Sequence, residues 1–346
     1  MLKSLQWGML ILLALAVGQS ASACARNNDE QLQTYCLINE LEQRPISKET
    51  AFAIDQKLKL QGYQNGIGFG FDNQPVLTKI SVRASASYDE NLNGGNPEGP
   101  LKIGNLVFQT DPNLYQKSGF LIGSYVNLDH RHILSEGKYI TLNAGISYHY
   151  NNEHHLGVNS QHVTVCSQNH VKNWWYINAC GAHKNINKKL SNSSTSDISI
   201  HTKKIFKNTT GSYSALQMGI SRLQEKAYSQ SQIQLEYQTV TDFGTGFGVI
   251  VKVGEDVQDT LALRNSFEMS YTKLFKNKPV DMSFRSTAYG GSQIFGIERS
   301  DLTQSISLSV PLTKRFALSL GVSKTNSAID YYDSVNPTIA LQYIRN

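Results

Sequence analysis

Leu302-Thr-Gln-Ser-Ile-Ser-Leu-Ser-Val310 runs through Pro311-Leu-Thr-Lys314 into Arg315-Phe-Ala-Leu-Ser-Leu-Gly-Val-Ser323. In the first arm Leu302, Ile306, Leu308 and Val310 share a face with Gln304, while Thr303, Ser305, Ser307 and Ser309 line the other. In the second arm Phe316, Leu318, Leu320 and Val322 oppose Arg315, Ala317, Ser319, Gly321 and Ser323. Two arms of period two around a short turn make a β-hairpin. One face is continuously apolar, and the other is small and polar rather than charged. A soluble sandwich buries such an apolar face in a core. A transmembrane barrel turns it to lipid and lines its lumen with the small polar face.

The same alternation starts at Thr78, where Ile80, Val82, Ala84, Ala86 and Tyr88 oppose Ser81, Arg83, Ser85, Ser87 and Asp89. It recurs over 119–129, 138–150, 156–166, 172–183, 194–206, 212–223, 230–240, 244–253, 264–275, 279–289 and 335–344. With the opening hairpin, these make fourteen expected strands. The connections expected after odd-numbered strands are 90–118, 151–155, 184–193, 224–229, 254–263, 290–301 and 326–334. Those after even-numbered strands are 130–137, 167–171, 207–211, 241–243, 276–278 and 312–313. Alternating long and short connections, an even strand number and strands of about nine to eleven residues are the marks of an outer-membrane barrel. A Greek-key sandwich has no reason to sort its loops by length. Trp174, Trp175, Tyr237, Phe275, Phe316 and Tyr343 fall near expected strand ends, where membrane-interface girdles belong.

The beginning of the chain reads as an address. Lys3, the apolar run from Met9 to Val17 and the small residues Ala21-Ser-Ala23 form a secretory signal peptide over 1–23. Cys24 follows directly, but Ala21 stands where a lipoprotein usually carries Leu. Residues 24–64 form a short periplasmic segment. Within it, Leu32, Cys36, Leu37 and Leu41 are spaced as in one helix, and Phe52, Ile54, Leu58 and Leu60 as in a second beyond Pro45. Glycines from Gly62 to Gly70 end the helical pattern, and 65–346 is the barrel.

Composition agrees with this division. The 346 residues are 17% charged, against about 25% in ordinary soluble domains, and 8 Pro and 5 Met are few. The net charge of +5 is too small to argue for nucleic acid.

Four cysteines in an exported chain suggest disulfides before metals. Cys24 and Cys36 would tie the N-terminus to the first helix. Cys166 and Cys180 conflict with a turn at 167–171, which sets Cys166 opposite residue 172. Either no bridge forms, or the loop runs over 167–179 with Trp174 and Trp175 at its tip. The bridge is the preferred reading, because two lone thiols would be odd in an oxidising compartment.

Sites for chemistry are sparse. His130 and His132 alternate on one strand, His154 and His155 are adjacent, and His149 and His162 lie on neighbouring strands, yet no Cys or carboxylate completes a tetrahedral set. No Gly-x-Ser-x-Gly elbow presents a nucleophile. Gly244-Thr-Gly-Phe-Gly248 sits inside a strand without the Lys and helix of a phosphate loop. No cofactor, metal or enzymatic activity is expected. Arg83, Lys203, Glu236, Lys252, Glu268 and Arg285 fall on the polar face, where they either set ion preference or form a hydrogen-bonded lining.

Ser87-Tyr-Asp-Glu-Asn-Leu-Asn-Gly-Gly95, at the end of the first expected strand, follows a small helical region and opens the barrel. In this the chain resembles the C-terminal barrel of surface lipoprotein assembly modifiers, and is similar to barrels of marine alphaproteobacteria with the same Asp-x-Asn-x-Asn-Gly-Gly turn. The resemblance implies an outer-membrane protein that helps deliver lipoproteins or secreted partners to the cell surface. Members carry a periplasmic tetratricopeptide array, where this chain offers about 35 residues, the length of one repeat. They also end on an aromatic residue, where the last aromatic here is Tyr343.

The expectation is an all-β, antiparallel transmembrane β-barrel of about 14 strands behind a short helical segment. It sits in the outer membrane against lipid, is not an enzyme, and exports a protein or lipoprotein. The alternative is a general diffusion porin or solute channel. An export barrel predicts a lumen plugged by the helical segment or by 90–118, and a pore predicts open conductance. A hydrolase embedded in the membrane and a secreted, soluble β-sandwich that binds sugar or protein are the remaining rivals.

Overall fold

The computed structural model describes residues 29–43, 55, 58–63, 76–103, 105–209, 211–241, 245–275, 278–313 and 316–345. The expected signal peptide at 1–23 and Cys24 lie outside the described residues. Helix α1 spans Glu30–Gln43. Of the second expected helix, Asp55, Leu58 and Lys59 are helical, and the rest lies outside the described residues.

The strands are β1 (Val76–Asp89), β2 (Leu101–Ile103), β3 (Leu106–Phe108), β4 (Gly119–Ser135), β5 (Lys138–Asn151), β6 (Leu156–Lys172), β7 (Trp175–Asn187) and β8 (Asn192–Lys207). They continue with β9 (Tyr213–Glu225), β10 (Ser229–Val240), β11 (Gly246–Gly254), β12 (Ala262–Phe275), β13 (Lys278–Ile294), β14 (Ile297–Pro311), β15 (Phe316–Ser327) and β16 (Ser334–Arg345). All but β2 and β3 close into one antiparallel transmembrane β-barrel of fourteen strands, each paired with its neighbour in sequence, with β1 against β16 closing the circle. The expected class and strand number hold. The β2–β3 hairpin forms a sheet of its own inside the long 90–118 connection, where no strand was expected.

The alternation in sequence becomes an inside and an outside. Ile80, Ile122, Ile198 and Ile220 are 61–69% exposed on the outer face. In the opening hairpin, Ile306 pairs with Val322 and Leu308 with Leu320 outside, while Ser305 pairs with Ser323 and Ser309 with Ser319 within. Burial that a sandwich would provide is missing from the apolar face, and lipid is the solvent that fits it.

The expected sorting of loop lengths is largely overturned. Outer connections after β4 are 152–155, 188–191, 226–228, 255–261, 295–296 and 328–333, two to seven residues each. The opposite ends are 136–137, 173–174, 208–212, 241–245, 276–277 and 312–315, two to five residues each. Only 90–118 is long. Strands of nine to seventeen residues explain the difference, since the ladder continues into water after the apolar pattern stops. Ser292 still pairs with Arg299, and Gln293 with Glu298, where a loop over 290–301 was expected.

The turn expected at 167–171 is corrected in the same way. β6 runs to Lys172, and Asn173 and Trp174 make the turn at φ 49° and 60°. Positive φ at both central residues gives the twist that a two-residue hairpin needs. Cys166 then lies directly opposite Cys180, Cα to Cα 4.1 Å, and the two form a disulfide. The preferred bridge therefore forms, but across a two-residue turn at 173–174 and not around the 167–179 loop expected with it.

Replacing Ile220, mid-strand on the outer face, with Arg is expected to cost about 2–4 kcal/mol. Ser323→Arg on the inner face is expected to cost about 0.5 kcal/mol or less. Urea unfolding in lipid vesicles measures both, and equal costs would contradict the assignment of faces.

Candidate functional site in the barrel lumen

The inner wall is polar, and each lumen charge expected from the sequence has a definite neighbourhood. Glu268 and Arg285 are cross-strand partners, with Arg285 Nε and Nη2 donating to Glu268 Oε2 at 2.9 and 2.6 Å. Glu236 is held by amides: Gln217 and Gln234 donate to Oε2 at 3.3 and 3.1 Å, and Gln238 to Oε1 at 2.5 Å. Lys252 lies opposite Gln234, and Arg83 opposite Tyr125. Lys203 leaves the wall to bind Asp29 at 2.6 Å, with side chains only 11% and 8% exposed.

That pair begins the most developed feature of the lumen. Asp29 caps α1, its Oδ1 accepting from the backbone N–H of Gln31 and Leu32 at 3.0 Å each, while Oδ2 accepts from Lys203. One carboxylate therefore satisfies two orphan helix donors and a cation from β8. Glu30 reaches the other way, to Arg131 of β4 at 2.6 Å. Gln31 donates to Gln168 of β6 at 3.1 Å, and Arg131 Nη1 donates to the Leu60 carbonyl at 2.8 Å. Gly137 N–H donates to the Gln61 carbonyl. Leu32, Thr34 and Cys36 are almost fully buried. The segment sits in the mouth at the short-turn end of the barrel, against the wall from β4 to β10.

Its apolar contacts are local. Leu32, Cys36, Leu58 and Tyr63 pack with Tyr176, Ile205, Tyr213, Ala215 and Val240 of the wall. Tyr35 meets Trp174 edge-on at 4.7 Å and Tyr213 at 5.9 Å. Tyr63 and Tyr176 share a hydroxyl–hydroxyl hydrogen bond at 3.0 Å. Burial pushes the Tyr63 phenol above its usual range, the hydrogen bond to Tyr176 opposing the shift, so the group stays protonated at neutral pH. Trp174 is a bulky residue in the left-handed region, a backbone state that costs energy. Its contacts with Tyr35 and Tyr63 hold it there.

A second intrusion comes from the opposite end. Leu92 of the 90–118 connection is fully buried against Leu121 of β4 and Leu156 of β6. Asp89 Oδ1 and Asn91 Oδ1 accept from the backbone N–H of Asn91 and Gly95, folding the Asp-x-Asn-x-Asn-Gly-Gly stretch on itself. Gly94 sits at φ 72°, and a Cβ there would run into Ser191. Lys188 binds Asp89 at 2.9 Å and the Asn91 carbonyl at 2.5 Å. The connection then crosses the outer mouth: Phe108 stacks on Phe295 at 4.7 Å, and Tyr331 donates to the Pro97 carbonyl at 2.8 Å.

The remaining sequence candidates are scattered. His130 and His132 lie on the outer face of β4, with His130 against Thr78 at 2.8 Å. His149 bonds Ser85, and His162 bonds Asn143 and Tyr125. Among the described residues no group of three His, Cys, Asp or Glu forms a metal site. The Cys166–Cys180 disulfide faces the lumen two residues from Gln168, beside α1. Cys36 is disulfide-bonded as well. Sequence reading missed Asp29, Glu30 and Arg131. Asp29 just ahead of a helical run is a capping signal. Arg131 was hidden because 130–137 read as a loop.

No protein-family model matches the chain, and no curated protein matches it. Among solved structures it is similar to a BenF-like porin from Pseudomonas fluorescens Pf-5, at 6% identity and TM-score 0.40 over 78% of this chain and 98% of that one. It is similar to Pseudomonas aeruginosa OccK2 (OpdF) in complex with glucuronate, at 8% identity and TM-score 0.42 over 77% and 97%. It is also similar to Pseudomonas putida OprB, at 8% identity and TM-score 0.44 over 77% and 93%. At such scores the likenesses decide nothing about solute or partner.

Trp174→Gly relieves about 1–2 kcal/mol of backbone cost at the turn but deletes the ring contacts to α1, each worth about 0.5–1.5 kcal/mol. Amide exchange in Leu32–Tyr35 is expected to quicken at least about tenfold, although the turn itself gains. Slower exchange would show that Trp174 does not hold the helix.

Proposed function

We propose that this chain is a non-enzymatic pore of the outer membrane that passes small polar solutes. An outward apolar face closed on itself supports the location, since a barrel of this kind satisfies every backbone group without water. The observation that carries the pore reading is the division of the lumen. Fourteen strands spaced ~4.8 Å and tilted ~40° close on a backbone circle roughly 28 Å across. Lining side chains take about 5 Å from each wall, half the spacing of packed sheets, and leave a bore of roughly 18 Å. A helix with its side chains is about 10–12 Å wide.

By these dimensions α1 alone fills only part of the bore, and among the described residues Leu58 to Tyr63 join it on the same side. Its hydrogen bonds and packing go to β4–β10, and the facing wall is lined by hydroxyls that pair across strands. Ser283 bonds Ser307 at 2.7 Å, Thr303 bonds Thr325 at 3.0 Å, and Ser309 bonds Ser319 at 3.3 Å. Glu268 and Arg285 cancel each other on the same wall. A wet, nearly neutral path beside the helix suits small polar solutes of either charge sign.

The plug in the mouth favours a second reading, export of a protein or lipoprotein in the manner of a surface lipoprotein assembly modifier, with the segment leaving when its partner arrives. Planar-bilayer recording of the mature chain separates the two. Steady single-channel current from the intact chain is expected. Silence that becomes current only when 24–62 are deleted would favour export, and no insertion in either form would overturn the membrane reading.

A further inference from the structure

We infer that helix α1 is a displaceable gate, latched to the lumen wall by the Asp29–Lys203 and Glu30–Arg131 ion pairs, and that its release widens the pore. The inference rests on the pore reading and adds regulation to it.

Adjacent carboxylates reach opposite sides of the mouth, Asp29 to β8 and Glu30 to β4. The helix is therefore clamped across an arc of wall rather than pinned at one point. Gln31 against Gln168, and the Leu60 carbonyl against Arg131, add polar contacts to the same side of the segment. Each of these groups can exchange its partner for water when the segment moves, because the lumen is wet. The apolar part of the seat leans on Trp174, whose left-handed backbone is held in place by the same segment.

The latch is asymmetric in exposure. Asp29 and Lys203 are 8% and 11% exposed, whereas Glu30 is 55% exposed against 14% for Arg131. Removing one member of the first pair strands the other in a dry place, while breaking the second costs less because Glu30 is largely solvated already. Asp29–Lys203 is therefore the main catch. Asp29 also caps α1, so its loss frays the helix as it frees it.

The test is single-channel conductance of the full mature chain and of Lys203→Glu, Asp29→Asn and the exchanged pair Asp29→Lys with Lys203→Glu. With the helix out of an 18 Å bore, the conducting area grows roughly 1.5- to 2-fold by the dimensions above. Lys203→Glu is expected to spend most of its open time at a level raised by about that factor, and Asp29→Asn to visit it more often than the intact chain. The exchanged pair is expected to visit the raised level less often than Lys203→Glu does but more often than the intact chain, since it restores the ion pair and not the cap that Asp29 gives α1. If the intact chain conducts and all three variants share its level and its open-time pattern, the segment is a fixed part of the wall and the gate is overturned. If Lys203→Glu does not insert, Asp29→Asn decides alone, since it adds no charge. An intact chain that never conducts overturns the pore reading itself, an outcome distinct from failure of the latch.

Discussion

Closure of the backbone ladder is the constraint on which the rest depends. In hydrocarbon an unpaired N–H or C=O costs several kcal/mol, so a sheet can live there only as a ring. The ladder between β1 and β4 runs from Val76 to Asp89, while the closing seam with β16 engages Val82 to Ser87. That short seam turns a fourteen-stranded sheet into a barrel. Once the ring is shut, every strand has one face in lipid and one in water, and period two follows at each position.

The wet interior then dictates what can occupy it. A wall made largely of Ser, Thr, Asn and Gln offers apolar surface only in local patches, so an intruding segment has to bring polar partners or find such a patch. Helix α1 does both: Asp29, Glu30 and Gln31 meet the wall through charge and amide, and Leu32 and Cys36 meet a small cluster gathered around Tyr176 and Ile205. Leu92 does the same at the other end with Leu121 and Leu156. The two apolar clusters among the described residues thus lie where foreign segments penetrate the bore, and not between layers of sheet. The buried contacts of both segments lie on the β4–β10 arc, while the 90–118 connection also crosses the outer mouth to Phe295 and Tyr331.

Strand positions read well from the sequence where lipid enforces them. Ile198 and Ile200, or Leu318 and Leu320, sit on the outer face because no other arrangement hides them from water. Reading failed where the membrane ends. β6 beyond Cys166, and β13 and β14 beyond Tyr289 and Asp301, keep pairing in water, where outward residues need not be apolar and the pattern loses its contrast. That failure produced the turn wrongly expected at 167–171, and it hid the alignment of Cys166 with Cys180.

The class of fold, the strand number and the inward residues of each strand were already set by the order of amino acids, because period two is local and lipid reads it directly. What those inward residues do was settled by tertiary structure alone. Lys203 looks the same as Lys252 in a one-dimensional pattern, yet Lys203 meets Asp29 across 174 positions of sequence, whereas Lys252 stands opposite Gln234. Such a meeting depends on closure of the ring and on the seating of a segment outside it. Neither leaves a periodic trace in the chain.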